Sequence, residues 1–100
     1  MATITRHARE RVKERIGVPS KSADKLANAA WEKGLKHTEL KGHLKKYVDS
    51  KVIDSKATPR VYAQFLYLFS RDGKLRTVLT LPGNLQKIAS ALAKAKSKNL

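Results

Sequence analysis

The hydrophobic pattern of the chain changes its period near residue 59. Before that point, in the run from Ala23 to Trp31, apolar residues recur at three- and four-residue spacings, which is typical of an amphipathic helix. After it, Arg60 to Phe69 is dense in aromatic and branched residues, which favours a strand or a bent pair of strands. The sequence therefore predicts an α+β fold.

Helix signals are clearest in the first third of the chain. A first helix is predicted over residues 4–16, with Thr3 or Thr5 as its N-cap and Gly17 as its stop. A second begins near Ser20 or Ser22 and ends at Gly34, which is expected in a left-handed conformation. A weaker third helix is expected over residues 38–48, and the polar segment 49–59 is expected to be a linker.

The later elements complete the predicted architecture. Ser70 to Gly73 is read as a hairpin turn, and Lys74 to Leu81 as the next strand. Asn84 can cap a C-terminal helix. We expect two to three N-terminal helices, a small antiparallel β-meander and a C-terminal helix. Residues 1–100 would form one small basic domain with a frayed basic tail at about 94–100.

Charge limits the partners of such a chain. It has 22 Lys and Arg against 8 Asp and Glu, a net charge of +14 on 100 residues. Self-repulsion of this size is relieved by a polyanion, so RNA, DNA or a nucleoprotein complex is the expected partner. The absence of cysteine excludes disulfides and thiolate metal sites, and fits a cytoplasmic location. We expect no membrane association, metal or cofactor, and the oligomeric state stays open.

The first helix carries a row of basic side chains. His7, Arg11 and Arg15 recur every four residues, which places them on one side of the helix. Like charges at this spacing weaken an isolated helix, so an anionic partner would relieve them. The alternative is an ordinary solvated face, because Glu10 and Glu14 can pair with nearby cations.

The pattern of the strand region does not decide which side chains face solvent. In a regular strand, Val61, Phe65 and Tyr67 share one face, whereas a bulge near Ala63 and Gln64 would reset the pattern. Neither face is cleanly apolar, as in a sheet with helices on one face and partial exposure on the other. Tyr62 and Tyr67 fit either core packing or stacking on bases.

These segments together resemble a known family. The helix His7-Ala-x-x-Arg11-x-x-x-Arg15 and a region reading Arg-Val-Tyr…Leu-Tyr-Leu-Phe…Leu-Arg-Thr-Val-Leu-Thr-Leu-Pro within residues 60–82 are similar to RelE-like members of the barnase, EndoU and colicin superfamily of metal-independent ribonucleases. The resemblance covers residues 4–16 and 60–82. The helix expected over residues 38–48 is an insertion relative to the compact RelE plan.

The resemblance implies a mechanism and a set of residues. RNA would lie across an open sheet, and a ribose 2′-hydroxyl would attack the adjacent phosphate, as in a toxin or mobile-element effector. The catalytic residues it implies are His7, Arg11, Tyr62 and Thr77. A histidine can move a proton near neutral pH, and arginines can stabilise phosphate charge.

The alternative function requires no catalysis. In this alternative, a phage or mobile-element protein binds nucleic acid, or inhibits a host nucleoprotein machine, through the basic row of the first helix and the lysine-rich third and fourth helices. The candidate nucleic-acid-binding residues lie on the first helix, the third helix and the strands: Arg11, Arg15, Lys41, Lys45, Lys46, Arg60 and Arg76.

Overall fold

A computed structural model describes residues 3–52 and 56–98 of the chain. Part of the predicted linker, residues 53–55, and the last two residues of the predicted tail lie outside the described residues. The elements, in chain order, are β1 (Thr3–Ile4), α1 (Arg6–Arg15), α2 (Ser20–Lys33), a 3₁₀ helix (His37–Glu39), α3 (Gly42–Val52), β2 (Thr58–Tyr62), β3 (Phe65–Phe69), β4 (Lys74–Thr80) and α4 (Gly83–Lys98).

The predicted antiparallel meander is wrong, because the sheet is mixed. Its strand order is β1-β4-β3-β2, and β1 pairs parallel with the start of β4. The Thr3 amide donates to the Gly73 carbonyl and the Thr5 amide to the Leu75 carbonyl, both at 3.0 Å. A two-residue strand has no readable periodicity, and its partner lies about seventy residues away along the chain, so the sequence pattern could not reveal it.

Two local irregularities set the faces of the sheet. The segment 60–69 is a pair of strands joined at Ala63 and Gln64, and Ala63 has a φ of 55°. Val61 therefore lies opposite Leu66 and shares its face, instead of the face of Phe65, Tyr67 and Phe69. The pairing of β3 with β4 shifts register beside Phe69, which puts Leu75 and Val78 in the same cluster.

Helices cover both faces of the sheet, so the expected partly exposed face is also wrong. On one side, Ala8 and Val12 of α1 and the alanines of α2 pack against Tyr67 and Phe69. On the other, Leu44 and Val48 of α3 pack with Leu85 and Ala89 of α4 against Val61, Leu66 and Leu68. Burial of each large apolar side chain contributes about 1.5–3 kcal/mol, so two clusters hold three layers together.

The boundaries of the first two helices follow their local signals. The Thr5 hydroxyl accepts a hydrogen bond from the Ala8 amide at 3.0 Å, which confirms Thr5 as the N-cap of α1. Gly34 does follow α2, but its φ of −66° is extended and not left-handed. The reason for a glycine there is crowding, since a Cβ would lie 2.4 Å from the Ala30 carbonyl oxygen.

The third helix lies further along the chain than the prediction. Leu40 is extended and Gly42 has a φ of 59°, so a helix cannot run continuously from Thr38. A 3₁₀ turn precedes this break, and α3 continues to Val52. At the C-terminus, α4 is helical through residues 94–98, where a frayed tail was expected. Among residues 3–52 and 56–98, no helix is long and apolar enough to span a membrane.

Gly34→Ala should destabilise the protein by about 1–3 kcal/mol, because the added methyl group overlaps backbone that cannot move freely. The matched control is Gly83→Ala at the start of α4, where a Cβ meets no atom within 4 Å. That substitution should be neutral or stabilise by up to about 1 kcal/mol. Urea unfolding of both variants measures the difference, and equal midpoints would contradict the crowding at Gly34.

Glu39 should make stability depend on pH in the acid range. Burial acts to raise the pKa of Glu39, but the Lys36 amide and the Lys96 ammonium, which donates at 3.0 Å, outweigh it and lower the pKa below its ordinary value of 4.5. A lowered folded-state pKa stabilises the protein above pH 4.5, and this contribution is lost as the pH falls through the folded-state pKa.

Glu39→Gln should therefore lower the free energy of unfolding by about 1 kcal/mol at pH 7. It should also flatten the decline in stability below pH 4.5, as measured by unfolding at a series of pH values. If the free energy of unfolding of the variant declines below pH 4.5 as steeply as that of the wild type, Glu39 is not the source of the pH dependence.

Candidate nucleic-acid interface

The basic row on α1 is largely engaged with the protein itself. Arg11 Nη1 forms an ion pair with Glu14 at 3.0 Å, and its Nε lies 3.4 Å from Nε2 of the exposed His7. Arg15 donates a hydrogen bond to the Val78 carbonyl of β4. Arg11 and Arg15, which were predicted to bind a phosphate, therefore already have partners in the folded chain.

Arg60 belongs to the packing between α2 and β2. Its guanidinium lies 4.6 Å from the centroid of the Trp31 ring, in a cation–π contact. Its Nε donates to the Trp31 carbonyl at 3.1 Å, and its Nη1 donates to the Pro59 carbonyl at 2.9 Å. Burial lowers the pKa of Arg60, while the charge of Glu39 acts in the opposite direction. These contacts already account for an arginine at this position.

The two tyrosines raised as base-stacking candidates lie side by side. Tyr67 is buried, and its ring centroid lies 6.4 Å from that of the half-buried Tyr62. Burial, and secondarily Tyr62, raises the pKa of Tyr67 to about 12. Because Tyr67 is buried, it belongs to the core, which leaves the half-buried Tyr62 as the more accessible ring of the pair.

The structure does not bring the four proposed catalytic residues together. Thr77 pairs with Leu68, whose face carries the α3 and α4 cluster, whereas Tyr62 lies on the α1 and α2 side. Tyr62 pairs with Phe65, which in turn pairs with Thr80 at the end of β4. The helix α1 begins beside Leu75, because the Thr5 amide donates to the Leu75 carbonyl. Tyr62 and the start of α1 are therefore separated by five residues along the strands, roughly 16 Å, and by two strand spacings, roughly 10 Å. Only His7 and Arg11 are neighbours.

The candidate lysines of the third helix are placed differently from the α1 arginines. Lys45 and Lys46 lie on α3, and Lys41 directly precedes it; all three side chains are exposed. Within the described part of the chain, none of these lysines forms an ion pair. The buried Leu44 and Val48 hold the opposite side of the helix against the sheet. The lysines are therefore presented to solvent on a firmly packed element.

The remaining candidate, Arg76, is exposed on β4. It lines a shallow hollow of about 260 Å³ together with Ala57, Leu68 and Thr77. The hollow lies on the α3 and α4 side of the sheet because Leu68 and Thr77 face that way. Of the two candidate arginines on the strands, Arg60 is engaged in packing and Arg76 is exposed at the surface.

The sequence pointed to the lysine-rich C-terminal helix, but two of its lysines were not among the candidate residues. Lys87 and Lys94 are exposed on this helix, separated by seven residues and hence on similar sides. They line an open groove of about 870 Å³ with Gln64, Gly83, Asn84, Gln86, Ser90 and Ala91. The signal was present in the sequence, because α4 contains four lysines and no acidic residue.

The two helical layers differ in charge balance. We call α3 and α4 the basic layer: they contain seven basic residues and a single acidic one, Asp49. The helices α1 and α2 contain eight basic and four acidic residues. Asp49 contacts His37, and one of the seven basic residues, Lys96, is paired with Glu39 at 3.0 Å. The positive charge is therefore least compensated on the α3 and α4 side.

Comparisons with known proteins add no relative, because no family model, no curated protein and no solved structure matches the chain. The resemblance to RelE-like ribonucleases stays a prediction from the residues.

Arg60→Gln should lower the free energy of unfolding by about 1–2 kcal/mol, because it removes the contact with Trp31 and two hydrogen bonds to carbonyls. Trp31 is the only tryptophan, so its fluorescence reports both the altered contact and unfolding. The matched control is Arg76→Gln. Because the Arg76 side chain is exposed, this variant should unfold with the same free energy as the wild type. Equal stability of both variants would contradict a packing role for Arg60.

Proposed function

We propose that this protein binds nucleic acid, RNA or DNA, through the lysines of its basic layer. The observation that carries the proposal is the charge difference between the two helical layers. Seven basic residues accompany one acidic residue on α3 and α4, and the exposed Lys41 directly precedes α3. Such a surface attracts phosphates and gains free energy by releasing their condensed counterions.

The surroundings of the lysines support binding to the sugar-phosphate backbone. Lys41, Lys45 and Lys46 form no ion pair among the described residues, so none of these pairs has to be broken when they bind a phosphate. Arg11 and Arg15 would first have to give up Glu14 and the Val78 carbonyl. Lysine is a compact point charge and reads no base sequence by itself. The binding expected here is therefore weakly sequence-specific and strongly dependent on salt.

The proposal is for binding and not for cleavage. Metal-independent transesterification needs a proton acceptor and groups that stabilise charge around one phosphate. His7 and Arg11 are neighbours, but Tyr62 lies at the other end of the sheet and Thr77 on its opposite face. A single scissile phosphate cannot contact all four side chains in this arrangement.

Titrating the protein with a labelled single-stranded RNA, and separately with a DNA duplex, at several salt concentrations tests the proposal. The variant combines Lys41→Gln, Lys45→Gln and Lys46→Gln. The slope of log K against log salt should fall in magnitude by about 2 for single-stranded RNA, since each phosphate contact contributes about 0.7. Comparing RNA with DNA distinguishes the two polyanions.

The matched control neutralises three exposed lysines of the other layer, Lys13, Lys21 and Lys25, with the same net loss of charge. Its salt slope should stay close to that of the wild type. Equal slopes in the two triple variants would refute the basic layer as the contact surface, and no binding at low salt would refute the function. Metal-independent RNA cleavage that His7→Ala abolishes would favour the ribonuclease alternative.

A further inference from the structure

A cavity of about 450 Å³ lies at the edge of the sheet, where residues of α2, β2 and α4 line it together. Its surface is mainly apolar and includes Leu35, Val61, Ala63 and Ala93. Val61 packs with the α3 and α4 cluster, whereas the next residue, Tyr62, packs with the α1 and α2 cluster. The cavity therefore lies where the two helical layers meet, and its volume is within the range of about 300–1,000 Å³ that small-molecule sites have.

Tyr62 supplies the aromatic group in this lining. Its side chain belongs to the α1 and α2 side of the sheet, the side from which Glu32 and Lys33 of α2 reach the same cavity. The side chain is half-buried, and its ring centroid lies 6.4 Å from that of Tyr67. Every nucleobase has a flat π-face that can stack on an aromatic side chain. An aromatic group beside aliphatic side chains therefore suits a planar base.

The polar groups of the cavity favour a base inside it and phosphates outside it. Glu32 repels a phosphate, but its carboxylate can accept a hydrogen bond from the amino group of a base. The C-terminus of α2, at Lys33, also carries a partial negative charge. Lys96 donates to the Gly34 carbonyl at 3.1 Å and to Glu39 at 3.0 Å. These two bonds tie α4 to the segment that follows α2, so the cavity is held open by the fold.

The cavity adjoins the open groove along α4. Gln64 and Lys94 line the groove, and the residues directly before them, Ala63 and Ala93, line the cavity. Lys87 and Lys94 are exposed in the groove and form no ion pair among the described residues. They are separated by about 10 Å along the helix axis. The groove therefore offers two cations for phosphates beside a cavity that suits a base.

This arrangement distinguishes a single strand from a duplex. The bases of a duplex are paired and stacked, and they present only their edges in the grooves. A cavity bounded by two helices requires a base that has left the stack. Unpaired bases in single strands can turn outward and stack on aromatic side chains.

We propose that the cavity between α2 and α4 binds one unpaired base of a single-stranded nucleic acid, which stacks on Tyr62 while neighbouring phosphates contact Lys87 and Lys94. This inference rests on the nucleic-acid binding proposed above and narrows it to single strands. The lysine contacts weaken as salt rises, whereas stacking adds affinity through the base itself.

The test compares two labelled strands at one salt concentration. The first is an RNA of eight cytidines, and the second is an abasic strand of eight ribose phosphates with the same backbone charge. The cytidine strand should bind at least about fivefold more tightly, which is the lower end of what one stacked base contributes. Amide resonances of ¹⁵N-labelled protein should shift at Ala63 and Ala93 with the cytidine strand and not with the abasic strand.

Substitution of Tyr62 provides a second measurement. Tyr62→Leu removes the ring and keeps an apolar side chain, so it should weaken the cytidine strand at least about fivefold and leave the abasic strand unchanged. The matched control is Tyr62→Phe, which keeps the ring and should bind both strands as the wild type does. Trp31 fluorescence checks that the variants fold. If Tyr62→Leu does not fold, the comparison of the two strands on the wild type still decides.

Equal affinities of the two strands would overturn the base site and leave binding through lysines intact. If neither strand binds at low salt, the proposed function fails together with this inference. If cytidine monophosphate binds as tightly as the strand and shifts the same resonances, the occupant is a free nucleotide and the single strand is excluded. A duplex of the same charge that shifts Ala63 and Ala93 as strongly would overturn the requirement for an unpaired base.

Discussion

The ladder between β3 and β4 is the interaction on which the other elements depend. Tyr67 and Phe69 of β3 face α1 and α2, while Leu66 and Leu68 of the same strand face α3 and α4. Because alternate side chains of a strand point to opposite faces, this one ladder links both hydrophobic clusters. Loss of its register would move apolar side chains from one cluster to the other and expose both helical layers.

Packing on both faces determines where charge can lie. Among the described residues, no polar or charged residue is buried, so the helices must present their many cations to solvent. On α1 and α2, part of this charge is balanced by acidic neighbours, as in the pair of Arg9 with Asp24 at 3.0 Å. On α3 and α4, seven basic residues accompany one acidic residue, so less of the charge is balanced within the layer, although Lys96 pairs with Glu39.

The structure places the cations of the first and third helices in different surroundings. On α1, Arg15 bonds to the main-chain carbonyl of Val78 and Arg11 pairs with Glu14. On α3, Lys45 and Lys46 are exposed and form no ion pair among the described residues. The α1 arginines are therefore held by directional bonds within the chain, whereas the two α3 lysines are not.

The sequence by itself determined the net charge, the α+β content, an N-cap at Thr3 or Thr5 and the amphipathic character of the helices. These properties depend on neighbours within one or two turns, which a pattern can show. It did not determine the parallel strand β1, the faces of β4 or the separation of His7 from Tyr62 and Thr77. Those depend on pairings between distant segments, on a hairpin at Ala63 and on a register shift beside Phe69. A shift of one residue reverses a side chain's face, so only the tertiary structure could decide which candidates share a surface.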